Sequence, residues 1–181
     1  TGKPMSYLLG LSGALRRDST NTKLMRAAAR LYDPAQFVEA DLNLPLYDGD
    51  LEAEGIPTPV QALADQIAGA EAVVISPPEY TKALSGVRKH ALDWVSRAEG
   101  NPWRDKPVAI MSAAAGRAGG ERSQYSLRLC LNPFRPHVLP GPEVMIADSR
   151  NAFDDDGTLI NERSVKGLNE LMTALRDHAQ S

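Results

Sequence analysis

The stretch Tyr7-Leu-Leu-Gly-Leu-Ser-Gly-Ala-Leu-Arg-Arg-Asp-Ser-Thr-Asn-Thr22 decides the fold, because its character changes twice. Tyr7 to Leu11 is apolar without alternation, the pattern of a strand covered on both faces. Ser12, Ser19, Thr20, Asn21 and Thr22 then offer hydroxyl and amide donors, and Arg16 and Arg17 offer charge. From Asn21 to Leu31, apolar Leu24, Met25, Ala28 and Leu31 recur at helical spacing. A buried strand, a donor-rich loop and a helix start, in that order, make an anion site. The first N–H groups of a helix lack intrahelical acceptors, and its dipole is positive there. One residue suffices to cap a helix. Five donors with two arginines point instead to a terminal phosphate. The loop is neither a Walker A loop nor a dinucleotide fingerprint, since Gly13 is the only glycine between Ser12 and Asn21.

Outward from this stretch, short apolar runs alternate with helical periods. Gln36–Ala40, Ala72–Ser76, Pro107–Ser112 and Val144–Ala147 read as further strands. Val60–Ile67, Gly86–Ser96, Arg122–Leu131 and Asn161–His178 read as helices, and Leu42–Pro59 as a long irregular connection rich in Pro, Gly and Asp. Five buried strands with intervening helices predict an α/β fold: a doubly wound, five-stranded parallel sheet with helices on both faces. Residues 5–179 are expected to form one domain, with Thr1–Pro4 read as an artificial remnant before it. Ligands of such sheets sit at the carboxyl ends of the strands, beside the topological switch. The loops after the first, third and fourth strands therefore carry the chemistry.

Composition narrows the function. Apolar content of 43% and charged content of 24% are those of a globular chain, and the 181 residues show no internal repeat. A net charge of −3 without a basic stripe argues against nucleic acid as a partner. There is neither a run of 18 apolar residues nor a hydrophobic signal core, so no membrane partner is expected. Cys130 stands alone among apolar neighbours, which reads as a buried thiol in a reducing cytoplasm. His90, His137 and His178 fall in no metal-ligand spacing, so no metal site is assigned.

After the third strand comes Ser76-Pro-Pro-Glu-Tyr-Thr-Lys-Ala-Leu-Ser-Gly86. Pro77 and Pro78 stiffen the turn, and Tyr80 can face a flat ligand. Ser85 is placed to cap the next helix, and Trp94 to pack in the core. Glu79 reads as a solvated or backbone-tethering carboxylate rather than an acid or base. After the fourth strand, Ser112-Ala-Ala-Ala-Gly-Arg-Ala-Gly-Gly-Glu121 lets backbone approach a ligand closely through Gly116, Gly119 and Gly120. No G-x-S-x-G elbow and no acid–base pair is present, so no catalytic side chain is assigned.

With these loops quoted, the chain resembles the NAD(P)H-dependent FMN reductase family, flavodoxin-like enzymes that include chromate, quinone and azo-dye reductases. Ser12-Gly-Ala-Leu-Arg-Arg-Asp-Ser-Thr-Asn21 is similar to the family's Ser-Gly-Ser-x-Arg-x-x-Ser-x-Asn. Pro78-Glu-Tyr80, Leu92-Asp-Trp94, Gly119-Gly120, Arg122 and Gln124-Tyr125 extend the likeness, which runs from Met5 to Ala179. The chain departs from the pattern at Ala14, where Ser is usual, at Pro77, and at Thr81, where Asn is usual. Val87-Arg-Lys-His-Ala91 also stands where Leu-Lys-Asn-Ala is common.

The resemblance implies FMN as cofactor and NADPH or NADH as co-substrate. It implies that Ser12, Arg16, Ser19 and Asn21, with neighbouring Thr22, hold the FMN phosphate. Pro78, Glu79 and Tyr80, with Thr81, would border the flavin ring, and Ser112, Gly116, Gly119 and Gly120 its pyrimidine or ribityl side. Hydride would pass from the nicotinamide to FMN, and then electrons to a small-molecule acceptor in a ping-pong cycle. Quinones, free flavin, azo compounds and metal oxyanions such as chromate are the implied acceptors. Arg17 and Arg117 are candidates for a 2′-phosphate clamp. A homodimer or homotetramer is implied, with Arg88, Trp94, Arg97, Trp103 and the 42–59 connection as candidate contacts. Two other readings stay open: a flavodoxin-like electron carrier or FMN-binding module that does not oxidise nicotinamide, although carriers are typically more acidic than this chain, and a structural or regulatory α/β protein without flavin.

Overall fold

In the computed structural model, which describes residues 6–181, the strands are β1 (Leu8–Ser12), β2 (Phe37–Glu39), β3 (Ala72–Ser76), β4 (Glu79–Tyr80), β5 (Ala83–Leu84), β6 (Pro107–Ala113), β7 (His137–Val138) and β8 (Val144–Ile146). The helices are α1 (Thr20–Tyr32), α2 (Gly49–Ala53), α3 (Thr58–Gly69), α4 (Gly86–Val95), α5 (Glu121–Leu131) and α6 (Glu162–Gln180). Met5, taken above as the first residue of the domain, and Thr1–Pro4 lie outside the described residues.

The main sheet runs β2-β1-β3-β6-β7, with β8 also paired to β6, and every pairing is parallel. This is the doubly wound, flavodoxin-like order, with its switch between β1 and β3. The sheet has six strands where five were expected. The last position holds two short segments, β7 against Pro107 and Val108 and β8 against Met111 to Ala113. The cause is local. Leu139 N–H still donates to the Val108 carbonyl at 2.9 Å, but Pro140 and Pro142 have no N–H to continue the ladder.

Side chains alternate across the sheet. Leu8 and Val74 join α1 and α6 in one cluster with Met25, Leu171 and Leu175. Leu9, Leu11, Val73 and Ile75 face α3, α4 and α5 with Ile67, Leu92 and Leu127. Burial on both sides is why these strands read as apolar throughout.

Two elements escaped the sequence pattern. The connection 42–59 contains α2, capped by the Asp48 carboxylate accepting from Asp50 N–H. The loop after β3 folds into the β4–β5 hairpin, with Glu79 opposite Leu84 and Tyr80 opposite Ala83.

The connection lies over α4. Trp94 is fully buried beneath it, donates from Nε1 to the Pro45 carbonyl at 2.8 Å, and meets the Tyr47 ring edge-on at 5.1 Å. Arg88 and Trp103 are buried as well. Three of the four side chains expected at a subunit contact are therefore used inside this chain, and Arg97 alone is half exposed. Cys130 is half buried rather than enclosed. Among the described residues, no helix is long and apolar enough to cross a membrane, and no group of three His, Cys, Asp or Glu is arranged to hold a metal.

Candidate active site

The loop after β1 leads into α1 as the pattern predicts, but the helix start is open. Ser19 occupies the N-cap position and its hydroxyl caps nothing. By contrast, Ser85 and Asn161 at the same position of α4 and α6 accept from Arg88 N–H and Ser164 N–H. The first backbone bond of α1 runs from Lys23 N–H to the Ser19 carbonyl at 3.0 Å. The N–H groups of Thr20, Asn21 and Thr22 are left without intrahelical acceptors. Reading these residues as a simple cap is thus excluded by geometry. The one acid on the loop, Asp18, is answered by Lys23 at 2.7 Å, whose hydrogen bond and charge hold its carboxyl below the usual range. Arg16 and Arg17 stay exposed, Arg16 donating to the Asp18 carbonyl at 3.0 Å.

The loop is pinned from below. Gly13 accepts from Ser85 Oγ at 2.9 Å, and a Cβ at Gly13 would lie 2.9 Å from both Pro78 Cδ and Ser85 Oγ. Only glycine lets the first and second loops approach this closely. Asn21 turns inward and is buried. Its Nδ2 donates to the Ala113 carbonyl at 2.9 Å, and its Oδ1 accepts from Ala113 N–H at 3.0 Å and Ser76 Oγ at 2.9 Å. The side chain ties α1 to the ends of β3 and β6, so what Asn21 offers a ligand is backbone N–H.

Glu79 is a tether. Its Oε2 accepts from Arg122 N–H at 3.1 Å and Ser123 N–H at 3.4 Å, capping α5 where Gly120 supplies no side chain. Ser112, expected beside the flavin, is fully buried behind the loop. Its hydroxyl donates to the Gly119 carbonyl at 2.6 Å and accepts from Gln124 Nε2 at 2.9 Å. Gly119 has φ +59°, and a Cβ there would come within 2.7 Å of the Met145 backbone. Its glycine is required by packing on β8.

A cleft of about 230 Å³ opens at the switch point, lined by Ala14, Arg16, Ser19, Thr20, Asn21, Pro78, Glu79, Tyr80, Ala113–Ala115, Ser149 and Arg150. Of the residues expected to hold FMN, Arg16, Ser19, Asn21, Pro78, Glu79 and Tyr80 line this cleft together. Ser12 and Thr22 share a hydrogen bond of 2.9 Å and face an adjoining hollow of about 240 Å³ with Arg17. Thr81 lies in the hairpin turn, and Gly116, Gly119 and Gly120 follow the Ala113–Ala115 wall without lining the cleft. Ser149 and Arg150 were missed. They follow β8, so the rule that ligands sit at carboxyl ends also reaches them. Thr20 Oγ1 donates to Ser149 Oγ at 3.2 Å, joining that loop to α1. A larger groove of about 600 Å³ between β8 and α6 holds none of the expected residues and lies away from the switch point.

Beneath the cleft sits Arg88, 2% exposed. Its Nη2 donates to the Leu11 carbonyl at 2.8 Å, its Nε has no partner, and burial pulls its pKa down to about 9, leaving it charged at neutral pH.

Residues 7–151 match the family described as NADPH-dependent FMN reductase. An NAD(P)H-dependent FMN reductase of Pseudomonas aeruginosa is 40% identical over 171 residues, covering 93% of this chain and 92% of that protein. A quinone reductase of Escherichia coli is 36% identical over 175 residues, covering 94% and 93%. Among solved structures, FerB, a flavoenzyme NAD(P)H:(acceptor) oxidoreductase from Paracoccus denitrificans, superposes with a TM-score of 0.87 at 31% identity, covering 97% of both chains. The matched span takes in every strand of the main sheet and all the loops around the cleft, and on it the chain belongs to the NADPH-dependent FMN reductase family.

Proposed function

We infer that the chain is an FMN-dependent NAD(P)H oxidoreductase that reduces quinones, and that free flavin, azo compounds and metal oxyanions such as chromate are further acceptors. The observation that carries this reading is the open start of α1 at the switch point, with the Ser19 hydroxyl idle, the first three N–H groups without intrahelical acceptors, and Ser19, Thr20 and Asn21 lining a cleft that Arg16 flanks. These donors fit a phosphate dianion, and the small side chains of Ala113–Ala115, which line the same cleft as Pro78–Tyr80, leave room for a flat ring.

Ser19 Oγ, the N–H groups of Thr20, Asn21 and Thr22, and the Arg16 guanidinium would hold the FMN phosphate, with Ser12 and Thr22 supporting the loop through their shared hydrogen bond. Pro78, Glu79, Tyr80 and Thr81 would border the ring from one side. Backbone N–H groups from Gly116 to Gly120 would stand by its pyrimidine edge, where they favour negative charge. Bound FMN supplies the hydride and electron chemistry. Tyr80, half exposed, is free to cover whichever planar molecule enters, so nicotinamide and acceptor would use the same open face in turn, which is a ping-pong cycle. The Glu79 carboxylate is held by α5, and no other lining side chain is a carboxylate, so protons would come from solvent. A cytoplasmic homodimer or homotetramer is the expected setting.

The test is anaerobic titration of the FMN-loaded protein with NADPH, followed by steady-state NADPH oxidation with a quinone. Bleaching of the flavin band and quinone-dependent turnover are expected. A band that never bleaches would overturn the reductase reading in favour of an electron carrier.

A further inference from the structure

The Arg88 guanidinium is charged, 2% exposed and makes no ion pair among the described residues. An isolated buried charge is expensive, and a well-packed apolar residue of similar size is often as stable or more stable. The single bond to the Leu11 carbonyl uses one of five guanidinium donors, and Nε is buried with none. The fold alone gives no reason for the charge.

Its place supplies one. Leu11 is the residue before Ser12, so the guanidinium is bonded to the strand end from which the phosphate loop departs. Arg88 N–H donates to Ser85 Oγ, which in turn donates to the Gly13 carbonyl, and a Cβ on Gly13 would lie 3.6 Å from Arg88 Cβ. The cation therefore sits under residues 11–13, one layer behind the cleft and absent from its lining.

We propose that Arg88 is a positioning residue for the FMN phosphate: its buried charge, fixed to the Leu11 carbonyl, is the counter-charge that a dianion on the Ser12–Thr22 loop completes. In the low-dielectric interior the attraction acts through the loop without contact and is weakly screened by salt. The free protein carries an unpaired cation, and the loaded protein a compensated one. The proposal rests on reading the loop as the phosphate site.

The consequence is a pair of effects of opposite sign. FMN and riboflavin, which lacks the phosphate, are titrated by fluorescence quenching into the FMN-stripped protein, and the melting temperature of that protein is recorded. In Arg88→Met, FMN binding is expected to weaken about tenfold or more while riboflavin stays within about twofold. The stripped variant is expected to melt higher than the wild type. Arg88→Lys should recover most of the FMN affinity. Arg88→Gln, which keeps a donor for Leu11 without charge, should behave as Arg88→Met does and replaces it should that variant fail to fold. Equal losses for FMN and riboflavin, unchanged FMN affinity, or a lower melting temperature with no change in phosphate preference would overturn the proposal. A wild type that binds both ligands equally would instead overturn the phosphate site itself.

Discussion

The side-chain amide of Asn21 and the backbone of Ala113 exchange two hydrogen bonds, at 2.9 and 3.0 Å, as though Asn21 were a further strand residue beside β6. Ser76 Oγ adds a third at 2.9 Å, so one side chain joins α1 to two strand ends where the ligand loops depart. Asn21→Ala would leave the Ser76 hydroxyl and both Ala113 groups buried and unpaired, and each such group costs about 1–3 kcal/mol. A loss of about 2–4 kcal/mol in urea unfolding of the FMN-stripped protein is expected. FMN affinity should fall with it, since the N–H groups of α1 are aimed by this tether. Unchanged stability would show that the tether carries little.

Glu79 presents a different case, because the carboxylate borders the cleft but is occupied. Loss of a helix-capping carboxylate costs about 1 kcal/mol, so Glu79→Ala should lower stability by that amount and Glu79→Gln by less. Removal of a general acid or base costs about 10²–10⁴ in rate. For Glu79→Gln, quinone-dependent kcat/KM is expected to stay within about tenfold of wild type with an unshifted pH profile. A hundredfold fall, with one limb of the profile removed, would make Glu79 a proton-transfer group.

Much of this geometry was legible in the residues, and the exceptions have physical causes. The apolar run ending at Ser12 and the donors before α1 marked the switch-point loop. Asn21 itself carried an unread signal: it lies on the stripe of Leu24, Met25 and Ala28, so a polar side chain there had to find partners inside. The split last strand was not legible, since β7 is two residues long and Pro140 and Pro142 look like an ordinary loop. Ser112 misled because it lies one residue short of the end of β6, and its side chain is buried behind the loop while Ala113 lines the cleft. Ala113–Ala115 line the cleft without a functional side chain to mark them.

Thr81 and Lys82 form the two-residue turn of the β4–β5 hairpin with φ of +50° and +61°. Two left-handed central residues make a type I′ turn, whose favoured sequence is Asn-Gly. Left-handed backbone costs an ordinary residue about 1–2 kcal/mol, and a β-branched one is a genuine outlier there. Thr81→Asn is therefore expected to stabilise the protein by about 1 kcal/mol, a rise of about 2–4 °C in melting temperature for a chain of this size. FMN affinity should hold or improve, because Tyr80 precedes the turn. A lower melting temperature would mean that the threonine side chain makes a compensating contact.

Tyr32 sets an alkaline limit on stability. The ring is 2% exposed and its hydroxyl donates to Glu71 Oε1 at 3.1 Å. Burial, and then the Glu71 charge and hydrogen bond, push the phenol well above its ordinary value near 10, against a smaller opposing pull from Arg176, whose guanidinium lies 5.5 Å from the ring centre. Below pH 10 the folded and unfolded chains both keep this proton, and its contribution is fully present. Above that point the unfolded chain releases a proton that the folded chain retains, so stability falls as pH rises towards the folded value, by up to about 1.4 kcal/mol per unit from this group. Tyr32→Phe keeps the packing, removes this titration and gives up the hydrogen bond, at a cost of about 1 kcal/mol near neutrality. Urea midpoints for both proteins at pH 8, 9, 10 and 11, taken as a difference to cancel other titrating groups, should converge above pH 10. Curves that stay parallel through pH 11 would show that Tyr32 does not govern the alkaline limb.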